Sequence, residues 1–243
     1  MMCVQGDNML TTIGFDADDT LWQNESFFRL TQDRFTELLA DYSAPDQLHA
    51  QLLTAERRNL GHYGYGVKGF TLSMIETAIE VTEGRVPSLV IAEIMAAGRE
   101  MLAHPIELLP HARAAVKSLA TSHRVVLITK GDLLDQERKL AQSGLGDLFH
   151  GVEIVSDKTA KAYSAIFARH GTGADQALMV GNSLKSDVIP ALAAGAYGVH
   201  IPHGLTWALE HADAPSDNTR FFSLTSLADL PDLVANLENH HKT

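Results

Sequence analysis

The chain has 243 residues, of which 45% are hydrophobic, a length that allows one large domain or a core with an insertion. Its formal net charge is −11 and it has no block of Lys or Arg, so nucleic acid and anionic membrane surfaces are not expected partners. The single cysteine, Cys3, excludes an intrachain disulfide and suits the reducing cytoplasm, which is the expected location. The N-terminus lacks a signal-peptide pattern, and no apolar stretch reaches the ~20 residues of a membrane helix, so no membrane partner is expected either.

The first predicted element is a short buried strand at residues 9–15, which ends at Asp16. Four helical patterns follow, and no strand pattern interrupts them. Their apolar residues at helical spacing are Phe28, Phe35, Leu38, Leu39 and Tyr42, then Leu48, Leu52 and Leu53, then Phe70, Met74, Ile75, Ala78 and Ile79, then Val90, Ile91, Ile94, Met95 and Met101. A run of this length without a strand predicts an all-helical domain at residues 22–105.

From Pro110 onward, strand patterns and helix patterns alternate. The predicted strands are residues 124–129, 152–155, 177–180 and 198–201, and the predicted helices are residues 112–120, 133–142, 160–170 and 187–194. The alternation predicts an α/β fold whose doubly wound parallel sheet is built by residues 1–21 and 106–243. Residues 205–220 are predicted to be irregular, and residues 224–237 to form a last helix.

Polar residues follow four of the predicted strands, where an open parallel sheet places its ligand crevice. The four stretches are Asp16-Ala17-Asp18-Asp19-Thr20, then Thr129-Lys130-Gly131, then Ser156-Asp157-Lys158, then Gly181-Asn182-Ser183 with Asp187 beyond it. Three carboxylates within four positions beside a buried strand are costly unless a cation or a ligand opposes their charge. The sequence therefore predicts a charged ligand site at this edge of the sheet.

Together these motifs resemble the haloacid dehalogenase-like hydrolase superfamily, and the resemblance covers the whole chain. The first stretch matches the family's D-x-D-x-T followed by Leu, and Thr129 matches its strand that ends in Thr or Ser. The third stretch supplies its lysine, and the fourth resembles its G-D/N-x(4)-D element. The resemblance implies a Rossmann-like core at residues 1–21 and 106–243, with residues 22–105 in the place of the family's helical cap.

The commonest members of that superfamily are Mg²⁺-dependent phosphatases, so the resemblance implies phosphoryl chemistry at the first aspartate. Asp16 would be the nucleophile and a metal ligand, and Asp18 the general acid and base, with its backbone carbonyl also on the metal. Asp187 would hold the metal directly or through water. Asn182 would contact metal and substrate, although the family more often has an acid there, and one less negative charge would weaken metal binding.

The transferred phosphoryl group would be held by hydroxyls, amides and one ammonium group. The candidates are Thr20, Thr129, Lys130 and Gly131. Two lysines compete for the ammonium role. Lys158 nearly matches the family's spacing to the fourth motif and is favoured as the catalytic lysine. Lys161 begins a stretch that loosely echoes K-P-x-x-x-I-F, and is kept as a phosphate-binding candidate.

Several other functions use the same residues. A haloacid dehalogenase also attacks with the first aspartate, but on carbon and without a metal, and Asp18 argues against it because displacing a halide needs no acid. A phosphomutase would pass the phosphoryl group to a second sugar, and a non-catalytic module would only bind phosphoryl groups. The leading substrate class is a small phosphorylated metabolite, and the sequence gives no indication of oligomeric state.

Three further features receive a structural interpretation. The stretch from Gly64 to Gly69 matches G-x-G-x-x-G but follows no strand, so it predicts a sharp bend between helices and not a dinucleotide site. Asp19 takes a position usually held by glycine in the resembled family and is predicted to be a turn residue. Trp22 is predicted to pack in the core. The twelve histidines form no zinc-binding set.

Overall fold

The computed structural model describes residues 10–240. Cys3 and the predicted start of the first strand at Met9 lie outside the described residues. Within them, no helix is both long enough and apolar enough to cross a membrane.

Six parallel strands form one sheet in the order β3-β2-β1-β4-β5-β6. The strands are β1 (Thr12–Phe15), β2 (Arg124–Lys130), β3 (Gly151–Val155), β4 (Ala177–Gly181), β5 (Tyr197–His200) and β6 (Phe221–Ser223). Every residue of β1 and β4 is buried, as expected for central strands that are covered on both faces. The predicted α/β fold with a parallel sheet is confirmed.

Five further helices alternate with these strands or follow them in the chain. They are α5 (Ala112–Leu119), α6 (Leu133–Ser143), α7 (Ala160–His170), α8 (Ile189–Ala193) and α9 (Leu230–His240), numbered after four earlier helices. A turn of π-helix at Leu184–Val188 precedes α8. The last helix begins at Leu230 and not at residue 224, and β6 was not predicted. With only three residues, β6 is too short to show a strand period, and its pairing with β5 defines it.

Residues 24–105 form the four earlier helices, which are α1 (Glu25–Leu38), α2 (Pro45–Tyr63), α3 (Val67–Val81) and α4 (Ser88–Ala103). Their buried residues form a separate cluster that includes Phe35, Leu52 and Met74. Three of the apolar residues predicted to share helix faces, Tyr42, Ile79 and Met95, are instead exposed. Tyr42 lies beyond the end of α1, because the chain leaves the helix at Leu39 in a series of turns.

The glycine-rich stretch forms the bend between α2 and α3, as the sequence predicts. Gly64 and Gly66 have φ angles of 71° and 108°, in the region that only glycine adopts without strain. A Cβ on Gly69 would lie 2.9 Å from the Gly64 carbonyl oxygen. The glycines therefore permit a tight connection between two helices.

The contacts divide the chain into two compact units. Among the described residues, one unit contains residues 10–23, 106–130 and 139–240, and the other contains residues 24–105 and 131–138. We call them the α/β unit and the helical unit. In the α/β unit, the two segments that flank residues 24–105 pair with each other: Gln23 N–H donates to the Glu107 carbonyl at 2.9 Å, and Leu109 N–H donates to the Leu21 carbonyl at 2.9 Å. Describing residues 22–105 as a cap over a catalytic core stays a proposal.

Candidate active site

The carboxyl end of β1 carries a buried acid that shares a lysine with a second buried acid. Lys158 Nζ donates to Asp16 Oδ1 at 2.5 Å and to Asp187 Oδ1 at 2.6 Å. All three side chains are at least nine-tenths buried. Lys161, by contrast, lies on α7 and is exposed. The structure thus brings Lys158 to the two carboxylates, and the position of Lys161 gives no support to its candidate role in phosphate binding.

The electrostatics of this trio are unbalanced toward negative charge. Burial, together with the neighbouring Asp187 carboxylate, raises the pKa of Asp16 to about 7, although the Lys158 ammonium opposes the rise. Burial lowers the pKa of Lys158, but the charges of Asp16 and Asp187 outweigh it and hold that pKa well above its ordinary value. One ammonium group therefore faces two buried carboxylates, an arrangement that a bound cation would stabilise.

Thr20 links Asp16 to the loop after β4. Its hydroxyl donates to Asp16 Oδ2 at 2.9 Å and accepts the backbone N–H of Asn182 at 3.1 Å. The amide oxygen of Asn182 lies 3.3 Å from the same hydroxyl. Since Lys158 holds Oδ1 and Thr20 holds Oδ2, the Asp16 carboxylate is fixed at both oxygens.

The position of Asp187 depends on the tight turn that follows β4. Its Oδ2 accepts the backbone N–H of Ser183 at 2.9 Å. A Cβ on Gly181 would lie only 2.2 Å from that Oδ2, so only glycine leaves room for the carboxylate. The π-helical turn at Leu184–Val188 then presents Asp187 from its interior.

Asp18 lies two residues after Asp16 and has donors of its own. Trp22 Nε1 donates to Asp18 Oδ1 at 2.7 Å, and Lys139 Nζ donates to the same oxygen at 3.0 Å. Trp22 is fully buried, as predicted, but its indole N–H also contacts a site residue. The carboxylates of Asp16 and Asp18 therefore have separate hydrogen-bond partners.

Lys130, predicted to bind phosphate, directs its side chain to a different partner. Its Nζ donates to Glu210 Oε1 at 2.5 Å and to Ser186 Oγ at 2.8 Å. Glu210 Oε2 also accepts the hydroxyls of Ser183 at 2.6 Å and Ser186 at 2.5 Å. The Lys130 side chain thus has protein partners of its own, and phosphate binding by the backbone N–H groups around Lys130 and Gly131 stays a prediction.

Two further predicted residues lie at or after the end of β2. Thr129 is buried, and its hydroxyl makes a long hydrogen bond of 3.4 Å to the Lys130 carbonyl. Gly131 has a φ of 134° and begins the segment 131–138 that groups with the helical unit. Thr129 therefore lies at the carboxyl end of β2, beside the strand that ends before Asp16. Gly131 adopts a backbone conformation that other residues adopt only with strain.

Comparison with models of known protein families shows the family of the chain. A family model described as haloacid dehalogenase-like hydrolase matches residues 10–195. The chain belongs to this hydrolase family. The resemblance predicted from the four strand-end motifs is thereby confirmed, and no curated protein sequence gives a significant match.

Solved structures of family members agree with this assignment. A haloacid dehalogenase-like family hydrolase from Xanthomonas campestris is 41% identical, with 98% of this chain and 95% of that chain covered and a TM-score of 0.86. The HAD-hydrolase YfnB from Bacillus subtilis, bound to magnesium, is 16% identical over 93% of this chain and 99% of that one, with a TM-score of 0.66. The L-2-haloacid dehalogenase from Xanthobacter autotrophicus with chloropropionic acid covalently bound is 18% identical, with coverages of 93% and 99% and a TM-score of 0.62. The last two likenesses show the fold alone.

The oxygen ligands of the site suit the divalent metal typical of haloacid dehalogenase-like hydrolases. Among residues 10–240, no group of three or more His, Cys, Asp and Glu side chains is arranged to hold an ion. Magnesium, however, commonly takes one or two carboxylates plus waters and a substrate oxygen. Asp16 and Asp187 are two such carboxylates, and burial and the Asp187 charge both raise the pKa of Asp16, which means that its charged form lacks the stabilisation that a cation would supply. The donor set therefore fits Mg²⁺.

Asp19 shows why a haloacid dehalogenase-like hydrolase usually has glycine at its position. Its φ is 59°, in the left-handed region that aspartate tolerates better than most residues. Its Oδ1 lies 3.7 Å from His203 Nδ1. Asp19 is a turn residue, as the sequence predicts.

Local sequence patterns do not identify three of the residues that surround the site. Glu210 comes from the segment predicted to be irregular, Lys139 is one charged residue on a helix, and the indole N–H of Trp22 was not assigned a partner. Glu210 and Lys139 are brought in by contacts between segments far apart in the chain, whereas Trp22 reaches Asp18 from four residues further along the same turn. The spacing of residues within one strand-end motif does not predict such contacts.

Proposed function

We propose that the protein is a Mg²⁺-dependent phosphomonoester hydrolase that acts on a small phosphorylated metabolite. The observation that carries the proposal is the pairing of Asp16 and Asp187 across Lys158 Nζ, at 2.5 and 2.6 Å. Two buried acids with one ammonium group provide for a cation and for an anionic substrate held beside it. A dehalogenase would need neither the cation nor an acid at Asp18, because a halide leaves without a proton.

The side chains divide the reaction between them. Asp16 attacks phosphorus to give an aspartyl-phosphate, while Lys158 and the strand-end donors bind the transferring oxygens. As the ester P–O bond breaks, the Asp18 carboxyl gives its proton to the leaving oxygen. The Asp18 carboxylate then takes a proton from the water that attacks the aspartyl-phosphate, which releases phosphate and restores both acids. When bound, Mg²⁺ neutralises charge between the nucleophile and the phosphoryl group.

The test is phosphate release from an aryl phosphate by protein that has first been stripped of metal with EDTA. We expect no release until Mg²⁺ is added, and we expect Asp16→Asn to lower the rate on the order of 10³-fold or more, since the nucleophile is lost. Equal, near-background rates for wild type and variant would favour a phosphoryl-binding module. Chloride release from 2-chloropropionate in EDTA, without phosphate release, would instead indicate a dehalogenase.

A further inference from the structure

The carboxylate of Asp18 is held by two donors that the proposed reaction does not itself use. Trp22 Nε1 reaches Asp18 Oδ1 at 2.7 Å from the same turn, and Lys139 Nζ reaches that oxygen at 3.0 Å from α6. All three residues belong to the α/β unit. The contact therefore joins residues 121 positions apart in the chain, from Asp18 to Lys139.

Neither donor has much freedom to move. Trp22 is fully buried, and its backbone forms a bridge with Leu108. The Lys139 side chain is 10% exposed, whereas that of Asp18 is 22% exposed. The donors are thus part of the packed interior, and the carboxylate that they hold lies closer to the solvent side.

We propose that Lys139 is a positioning residue for proton transfer by Asp18, with the Trp22 indole as its second support. The proposal rests on the proposed phosphatase function. A general acid contributes only when its proton lies within hydrogen-bond reach of the leaving oxygen. Two donors on one oxygen restrict the rotation of the carboxylate before substrate arrives, so less ordering is left to the reaction itself.

The need for this proton depends on the leaving group. A nitrophenolate departs readily as an anion, whereas an unsubstituted phenol or an alkyl alcohol needs a proton as the P–O bond breaks. Loss of Lys139 should therefore slow the ester with a poor leaving group more than the ester with a good one. A purely structural role would slow both to the same extent.

The experiment measures kcat/KM at saturating Mg²⁺ for p-nitrophenyl phosphate, phenyl phosphate and an alkyl phosphate, with Lys139→Met and Lys139→Arg. We expect Lys139→Met to lower kcat/KM for phenyl and alkyl phosphate on the order of tenfold or more beyond its effect on p-nitrophenyl phosphate. This factor is part of the usual contribution of a general acid. The arginine variant should restore most of this difference because a guanidinium also donates to a carboxylate. Lys117→Met, at an exposed lysine on α5, is the matched control and should change nothing.

The outcomes separate the two proposals. A uniform loss across the three esters, or no loss, in an active and folded Lys139→Met protein would overturn the role of Lys139 and leave the phosphatase proposal standing. Thermal unfolding of each variant establishes that it is folded. If Lys139→Met does not fold, Lys139→Gln, which removes the ammonium group and keeps a polar side chain, is measured on the same esters, and a uniform loss or no loss would overturn the role of Lys139. Absence of phosphate release from all three esters by wild-type protein would overturn both proposals together.

Discussion

At the scale of single residues, the centre of the site is one lysine between two buried acids. Lys158 Nζ contacts Asp16 and Asp187, and its side chain is only 2% exposed. Replacing a buried ion pair with apolar groups can be harmless, but removing one partner leaves a charge without compensation. Here the loss of one cation would leave two such charges.

Lys158→Met is therefore expected to lower the free energy of unfolding of the metal-free protein by about 3–5 kcal/mol. The variant should also lose on the order of 10²-fold or more of the phosphate-releasing activity, because no ammonium group faces the phosphoryl oxygens. Urea unfolding and phosphate release measure the two effects. The matched control is Lys161→Met, three residues further on and exposed, which should stay within about 0.5 kcal/mol of wild type. A larger effect at Lys161 than at Lys158 would contradict the assignment.

At the scale of elements, Glu210 connects three segments beside the site. Through Lys130 it holds the end of β2, and through Ser183 and Ser186 it holds the turn that presents Asp187. Burial raises the pKa of Glu210, but the charge and hydrogen bonds of Lys130 and the two serine hydroxyls outweigh burial and lower that pKa below 4.5. The short turn at Ala208–Glu210 thus stabilises the loop after β4.

We expect Glu210→Gln to lower the free energy of unfolding by about 1–3 kcal/mol near neutral pH, where charged hydrogen bonds are lost. Since the folded pKa lies below the ordinary 4.5, the stabilisation in wild type is complete above that pH and is lost as pH falls through the lowered value. The difference in free energy of unfolding between wild type and Glu210→Gln should therefore be constant above this pH and become smaller in more acidic solution.

Urea unfolding across that pH range measures the gap between the two proteins. Glu37→Gln, at an exposed acid on α1, is the control and should show no gap at any pH. A gap for Glu210→Gln that widened toward acid would contradict the assigned interactions.

At the scale of the molecule, the two compact units have separate apolar cores. The helical unit has one cluster around Leu52 and Met74, while the α/β unit has one cluster on each face of its sheet. Within residues 10–240, no buried residue belongs to more than one of these clusters. A local defect should then weaken its own unit first.

Leu52→Ala is expected to reduce the protection of amides in residues 24–105 by about 2–5 kcal/mol, the usual result of emptying a buried leucine site. Amides of β1, β2 and β4 should keep their protection. Hydrogen exchange followed by mass spectrometry measures both sets of amides, and Leu127→Ala, in buried β2, is the counterpart that weakens the strands. Equal losses in both units after Leu52→Ala would show that they unfold as one body.

The sequence predicted the sheet and most helices because their periods are strong. Most of β2 and β4 are continuous apolar runs, and the helices of residues 24–105 repeat apolar residues at helical spacing. The failures have physical reasons. A strand as short as Phe221–Ser223 has no measurable period, and the exposure of Tyr42 depends on where α1 ends, which is set by local turns.

The candidate site was predictable to the extent that it lies at strand ends. Asp16 and Asp187 converge because the carboxyl ends of parallel strands meet at one edge of the sheet. A choice between Lys158 and Lys161 depends on where α7 begins, because that position decides which lysine faces the acids. The partner of the Lys130 side chain, Glu210, lies 80 residues away in the chain. Contacts of this kind depend on tertiary packing and not on local spacing.

The paired segments around Trp22 and Leu108 hold the two ends of residues 24–105 next to each other. Because Gln23 and Leu109 are hydrogen-bonded into one narrow ribbon with Glu107 and Leu21, the ends of the intervening sequence are already neighbours. Replacing that sequence with another of different length would add little closure entropy, since each doubling of a loop costs only about 0.6 kcal/mol. Residues 24–105 can therefore be exchanged for a segment of another length at little cost to the strand edge that holds Asp16.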